Sequence, residues 1–195
     1  MEQEWMPFII SIKTALTATM ITFFLGIFAA NKINKINPKH KGILDSLFTL
    51  PMVLPPTVIG FFLLVILGRN GFIGKLLYSI GINVIFSWGA TVIAAVVVSF
   101  PLMYSTAKGA FEQIDKNILN AAQTMGVSNF KIFWKIMIPL AWPGIAAGTI
   151  LSFARALGEF GATLMLAGNI PGKTQTIPIA IYFAVEGGDM DLAMK

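Results

Sequence analysis

Apolar residues fill 8–30, 44–67, 84–104 and 136–157, and short polar links separate them. A helix that crosses a bilayer needs about 20 consecutive apolar residues, so each run is expected to be a span. Lys13 interrupts the first run near one end, where its stem can lie along apolar surface while the amine reaches water. Thr14, Ala18, Thr22, Gly26 and Ala30 recur every fourth position there, as do Gly144, Gly148, Ser152 and Ala156 in the fourth run. Such rows let neighbouring helices approach closely, although in the Thr/Ala-rich first run the spacing also fits chance. The expected fold is all-α, a polytopic membrane helical bundle forming a single domain over 1–195.

Two runs are not simple. Pro51, Pro55 and Pro56 remove backbone donors inside 44–67, so the helix must kink or unwind. Two readings fit: a discontinuous helix lining a pathway, or a helix that starts near Thr57 after a cytoplasmic lead-in. From Ile136 the apolar character continues to about Ala167, roughly 48 Å as one helix. A hydrocarbon core of about 30 Å cannot hold that length upright, so the chain must tilt, break or re-enter. Arg155 and Glu159 lie four residues apart here, beside Gly158 and Gly161 where a helix could break. Charges at membrane depth are costly and face protein or water. The pair reads either as a structural ion pair at the outer interface or as part of a transport path. Pro55, Pro56, Arg155, Glu159 and Gly161 are the candidate pathway or gate residues. The segment 158–191 is expected to be re-entrant or to lie outside.

Between the third and fourth runs, 107–137 changes character. Ala107, Ala110, Phe111, Ile114, Ile118, Ala121, Ala122 and Met125 recur at helical spacing, opposite Glu112, Asp115, Lys116, Asn117, Asn120 and Gln123. Gly126 fits the stop of this amphipathic helix, Ser128 can cap a second short helix over 130–137, and Pro139 opens the next span. A helix, a glycine turn and a helix result. By pattern alone this elbow equally suits an interfacial loop resting on headgroups.

Charge sets the orientation. Only 12% of the 195 residues are charged, against about 25% in soluble domains, which confirms a membrane class. The net charge of +5 sits in short links: Lys32, Lys35, Lys39 and Lys41 in the first, Lys108, Lys116, Lys131 and Lys135 around the elbow. By the positive-inside rule both are cytoplasmic, and the sparser second link with Arg69 and Lys75 is outside. The N-terminus is then outside. The first link lacks the interleaved aromatics of a nucleic-acid site. There are no cysteines, which excludes disulfides and thiolate metal sites. The acidic start, with Glu2 and Glu4, is unlike a signal peptide, so the first run is expected to be retained.

Ala121-Ala122, Gly126 four residues on, and Ile138-Pro139-Leu140 resemble the EAA motif of ABC importer permeases. Asn120 stands where that motif has its glutamate. The resemblance implies that Asn120, Ala121, Ala122, Gly126 and Pro139 belong to a cytoplasmic elbow that docks on an ATP-binding subunit. The stretch 154–182, ARALGEFGATLMLAGNIPGKTQTIPIAIY, resembles oxyanion importer permeases, and the molybdate branch more than the sulfate branch. That family implies a homodimeric or pseudo-dimeric permease, a paired ATP-binding cassette subunit that holds ATP and Mg, and an extracytoplasmic molybdate-binding protein. No cofactor is expected on this chain itself. The family closes with one more span after the equivalent of Lys195, so the chain is either truncated there or naturally lacks that span.

AGNIPGKT at 167–174 also satisfies a relaxed phosphate-loop pattern. Pro171 inside it and Pro178 where a helix should run argue instead for an outer loop. An embedded enzyme finds little support: the spans hold few ionisable groups and the sole histidine, His40, lies in the lysine-rich link. A structural or assembly membrane protein without a path is the remaining alternative. Tungstate, sulfate and thiosulfate are alternative substrates to molybdate, since charge and tetrahedral shape do not separate the first two from it.

Overall fold

The computed structural model describes residues 2–34 and 36–194, without the side chains of 2–4, 38, 39 and 192. Lys35 and the Lys39 side chain, two of the four lysines in the first link, lie outside the described residues. Three helical stretches are long and apolar enough to cross a membrane: Trp5–Ile33, Trp88–Glu112 and Asn129–Leu157.

The first belongs to α1 (Glu2–Ile33). It lies parallel to α5 (Trp88–Glu112), the central helix. The Thr14 and Thr91 hydroxyls are 3.1 Å apart near one end, and farther along Ile27, Ala30 and Ile33 pack with Met103, Ala107 and Phe111. The fourth span, α8 (Ile138–Leu157), runs antiparallel to both. Its Ser152 hydroxyl donates to the Ser99 carbonyl at 3.4 Å, and Ala156 packs with Ala15, Ala18 and Ala95. The small-residue rows are the contact surfaces: Thr14, Ala18, Thr22 and Ala30 are buried, as are Ser152 and Ala156. At Gly148 the approach is closest, because a Cβ there would overlap the Thr106 hydroxyl. With little hydrophobic drive between helices in lipid, such backbone proximity supplies the packing that holds the bundle.

The run 44–67 is not one straight helix. Two helices, α2 (Pro38–Val53) and α3 (Pro56–Leu67), meet at a break with a 113° bend. Pro51 sits inside α2 without ending it, and the Leu54 amide still donates to the Leu50 carbonyl at 3.2 Å. The break falls instead at the double proline. Each proline disfavours a helical residue before it, so Leu54 and Pro55 are pushed out of the helix and Pro55 is extended (φ −55°, ψ 136°). Pro56 then starts α3, where a missing amide costs nothing. The helical lead-in that α2 forms and the start of α3 at Pro56, next to Thr57, accord with both readings.

After α3, a short helix α4 (Phe72–Ser79) leads back to α5. The third span begins at Trp88 rather than at residue 84, because Ser87 takes the N-cap and its hydroxyl accepts from the Ala90 amide at 3.3 Å. The long run after the elbow is resolved by a break over 158–160. There α8 stops, and α9 (Gly161–Ala167) packs between α3 and the N-terminal half of α5, where Ala162 and Leu166 pack with Ile59, Ala90 and Ala94 and the Leu166 carbonyl accepts from the Phe86 amide at 3.3 Å. A loop leads to α10 (Ile177–Glu186), whose first amide donates to the Ser11 hydroxyl at 2.8 Å, and a turn leads to α11 (Met190–Ala193).

Candidate functional site

The amphipathic pattern from Ala107 is divided rather than continuous. Helix α5 carries on to Glu112 and stops, and α6 (Lys116–Thr124) starts afresh after Asp115, whose carboxylate accepts from the Asn117 amide at 2.8 Å. Its C-terminus is a Schellman motif. Val127 donates to the Ala122 carbonyl at 3.1 Å, Gly126 donates to Gln123 at 2.9 Å, and Gly126 has φ 75°. Nothing lies within 4 Å of where a Gly126 side chain would start, so conformation and not space requires glycine here.

The second arm differs from expectation. Ser128 occupies the N-cap position of α7 (Asn129–Ile132), but its side chain makes no capping bond. A π-helical turn over Phe133–Met137 then joins α7 to α8 without interruption. Pro139 therefore lies inside one continuous helix, Asn129–Leu157, instead of opening a new one. The wider π turn, closed by the Ile138 amide on the Phe133 carbonyl, sits next to the residue that lacks a donor.

The elbow is anchored on one side and open on the other. Phe111, Ile114, Phe133 and Ile138 join the core around Ala141 and Ile145. Of the motif residues Ala122 is buried, whereas Asn120, Ala121, Gly126 and Pro139 are exposed. Around them Met125 is 81% exposed, Phe130 73% and Trp134 52%, with Lys116, Lys131 and Lys135 also in the open. An exposed apolar patch with a polar rim of this kind marks a protein or membrane contact. A cavity of about 590 Å³ adjoins it, between Ser105, Gly109 and Gln113 on α5 and Pro143, Gly144 and Ala147 on α8.

A polar cluster that the pattern analysis did not single out ties α2 to this end of α5. Lys41 Nζ donates to Glu112 Oε1 at 2.9 Å and to Asn34 Oδ1 at 3.0 Å. Asp45 accepts from Lys108 Nζ and from the Tyr104 hydroxyl. The Phe48 ring stands edge-on to Tyr104, with centroids 5.1 Å apart. The available signal was Asp45, the lone acid in its apolar stretch.

The candidate pathway residues come together where the two helix breaks meet. A Cβ on Gly161 would lie 3.0 Å from Thr57 Cγ2 and 3.3 Å from Pro56 Cβ, and one on Gly60 would strike Ala162, so the start of α9 rests on the start of α3. Pro55, in the break itself, is exposed. Arg155 Nη1 and Glu159 Oε2 form the expected ion pair at 2.8 Å; the Glu159 side chain is 2% exposed and that of Arg155 32%. Glu159 Oε1 also accepts from the Ala162 amide at 2.8 Å. The carboxylate thus satisfies an N-terminal donor of α9 while it neutralises Arg155. Because Ala156 packs against Ala95, seven residues into α5, the pair lies about 10 Å inside that helix's first turn.

The phosphate-loop-like stretch turns several of its donors inward. The amides of Lys173, Thr174 and Gln175 all point at the Ile170 carbonyl, at 3.0, 2.9 and 3.2 Å. The Thr174 hydroxyl accepts from the Ile170 amide at 3.1 Å. These amides converge on a carbonyl of the loop itself rather than on a shared anion position.

Residues 22–188 match the family model described as binding-protein-dependent transport system inner membrane component. The chain is 50% identical over 188 residues to a Bacillus subtilis (strain 168) protein named for a molybdenum transport system permease, YvgM, covering 96% of this chain and 83% of that one. It is 44% identical over 195 residues to the molybdenum transport system permease protein ModB of Escherichia coli (strain K12), covering 98% and 85%. A protein of Chlorokybus atmophyticus named for a sulfate transport system permease, cysT, is 36% identical over 182 residues, covering 93% and 64%.

Proposed function

The chain belongs to the family of binding-protein-dependent transport system inner membrane components, and on that premise we propose that it is the permease of an importer for molybdate. It is a multi-pass membrane protein of a transport family and not an enzyme; ATP hydrolysis belongs to a partner subunit. The substrate assignment rests on the higher identity to permeases named for molybdenum than to the one named for sulfate. Tungstate and sulfate or thiosulfate are the second reading, favoured only by the similarity to that sulfate-named relative.

The elbow is the surface on which the ATP-binding cassette subunit docks. The observation that carries this is the set of Met125, Phe130 and Trp134, apolar yet exposed, around the Gly126 turn. In this reading the elbow and the first link face the cytoplasm and the N-terminus faces outward. ATP and Mg are held by the partner, a binding protein delivers the anion from outside, and two copies of the chain flank the path. Arg155 supplies positive potential along that path and Glu159 positions it. The joined helix breaks at Pro55, Pro56 and Gly161 are where the bundle changes shape.

Closure of the partner around nucleotide drives transport only if it binds one permease conformation more tightly than the other. The test is uptake of labelled molybdate into membrane vesicles containing the full-length protein with its ATPase and binding protein. ATP-dependent uptake that sulfate does not compete supports the whole reading. Uptake abolished by sulfate moves the substrate, and no ATP-dependent uptake despite proven assembly rejects the permease role.

A further inference from the structure

Helix α4 packs on the end of α3 and turns its apolar side away from the protein. Gly71 and Gly74 make that contact, since a Cβ on either would fall on carbonyl oxygens of Val65 or Gly68. On the opposite side Phe72 is 92% exposed, Leu76 66% and Ile80 64%. These residues recur every fourth position and form one stripe. Helix α3 also presents apolar side chains outward, with Phe61, Phe62 and Val65 about half exposed. Across a membrane that face of α3 meets acyl chains.

Charge identifies what meets α4. Arg69 and Lys75 border the stripe, and no acidic residue occurs between Asp45 and Glu112. Among the described residues neither cation forms an ion pair. The Arg69 guanidinium lies over the Tyr78 ring, 4.7 Å from its centroid, which holds it in place while leaving its edge donors free. An amphipathic helix with an apolar stripe, flanking cations and a tyrosine, placed at the end of a span, has the composition of an interfacial helix.

We infer that α4 is a lipid-headgroup anchor, with Phe72, Leu76 and Ile80 in the outer boundary of the acyl region and Arg69 and Lys75 on phospholipid phosphates. The anchor fixes the height of α3 in the bilayer at the end opposite its break at Pro55. The inference requires only that the chain is embedded in a membrane, not that it carries molybdate.

The chain has no cysteine, so single-cysteine variants report cleanly. Phe72→Cys, Leu76→Cys, Ile80→Cys and Lys75→Cys are spin-labelled in the full-length protein, assembled with its ATPase in phosphatidylcholine–phosphatidylglycerol vesicles. Labels at 72, 76 and 80 should collide more with dissolved oxygen than with a water-soluble nickel chelate, and the label at 75 should show the reverse. A fluorophore at position 72 should be quenched more by brominated phosphatidylglycerol than by brominated phosphatidylcholine. Arg69→Gln should lower that preference about fivefold. Three results overturn the proposal: nickel access dominating at 72, 76 and 80; spin–spin broadening there, which assigns the stripe to a second copy; or shielding that appears only when the binding protein is added. Because all the labelled side chains are exposed, the variants retain the fold, and loss of uptake alone does not bear on the anchor.

Discussion

Glu112 and Lys41, paired at 2.9 Å, join the last turn of the central helix to the first turns of α2. The helix that feeds the elbow is thereby connected to the helix that ends in the Pro55 break. The neighbouring contact is more buried: Asp45 accepts from both Lys108 and Tyr104. Asp45→Ala strands two donors, a loss of about 1–3 kcal/mol, whereas Lys41→Met removes an exposed pair worth at most about 1 kcal/mol. The thermal midpoint of the purified complex should fall more for Asp45→Ala than for Lys41→Met; the opposite order would contradict this account of how α2 is held.

Gly126→Val should uncouple the permease. A β-branched residue at φ 75° pays about 1–2 kcal/mol of local strain, enough to reshape the turn, while the spans it does not touch stay folded. Vesicles should keep ATP hydrolysis and lose most uptake, and Gly126→Asn, which tolerates that backbone region, should retain uptake. Normal uptake by Gly126→Val would remove the turn from the coupling role.

At the helix junction, Arg155→Met leaves Glu159 buried without its cation, and Glu159→Gln leaves Arg155 without its anion. Breaking a fully buried pair costs about 3–5 kcal/mol, and the partial exposure of Arg155 places this pair at or below the lower end. Arg155→Lys should keep stability near that of the parent yet transport more slowly if the guanidinium meets the anion. Equal molybdate uptake by Arg155→Lys and the parent would reduce the pair to a structural one.

Packing between α8 and α5 gives a prediction independent of transport. Gly148→Ala drives a methyl into the Thr106 hydroxyl, an overpacking cost of about 1–3 kcal/mol. Thr106→Ala removes the struck oxygen and should recover part of the loss. If the double variant melts no higher than Gly148→Ala alone, the close approach of these helices is misplaced.

Features decided by local chemistry were legible in the sequence. The first and third spans came from apolar length, and the Gly126 turn from the one residue type that accepts its backbone angle. Helical spacing suggested the Arg155–Glu159 contact, but Glu159 lies past the end of α8, so the ion pair spans the break and not one helix face. Features decided by competition between neighbours were not legible. Pro51, Pro55 and Pro56 look alike in sequence, but only the double proline constrains two successive residues, so the break went there. Pro139 resembled a boundary, yet a π turn beside it let the helix run on. The Asp45 cluster and the capping of α9 by Glu159 depend on which helices meet, which periodicity within one helix does not encode.

The continuity of Asn129–Leu157 puts the second arm of the elbow and the fourth span on a single helical rod, about 44 Å long. Trp134 and Arg155 ride on the same rod, about 30 Å apart along its axis. A tilt of about five degrees pivoting near one of them carries the other through nearly 3 Å, comparable to the length of a hydrogen bond. A displacement of the elbow would therefore reach the charged junction along one unbroken helix, with the π turn over Phe133–Met137 and the prolines at 139 and 143 as the places where that helix can flex.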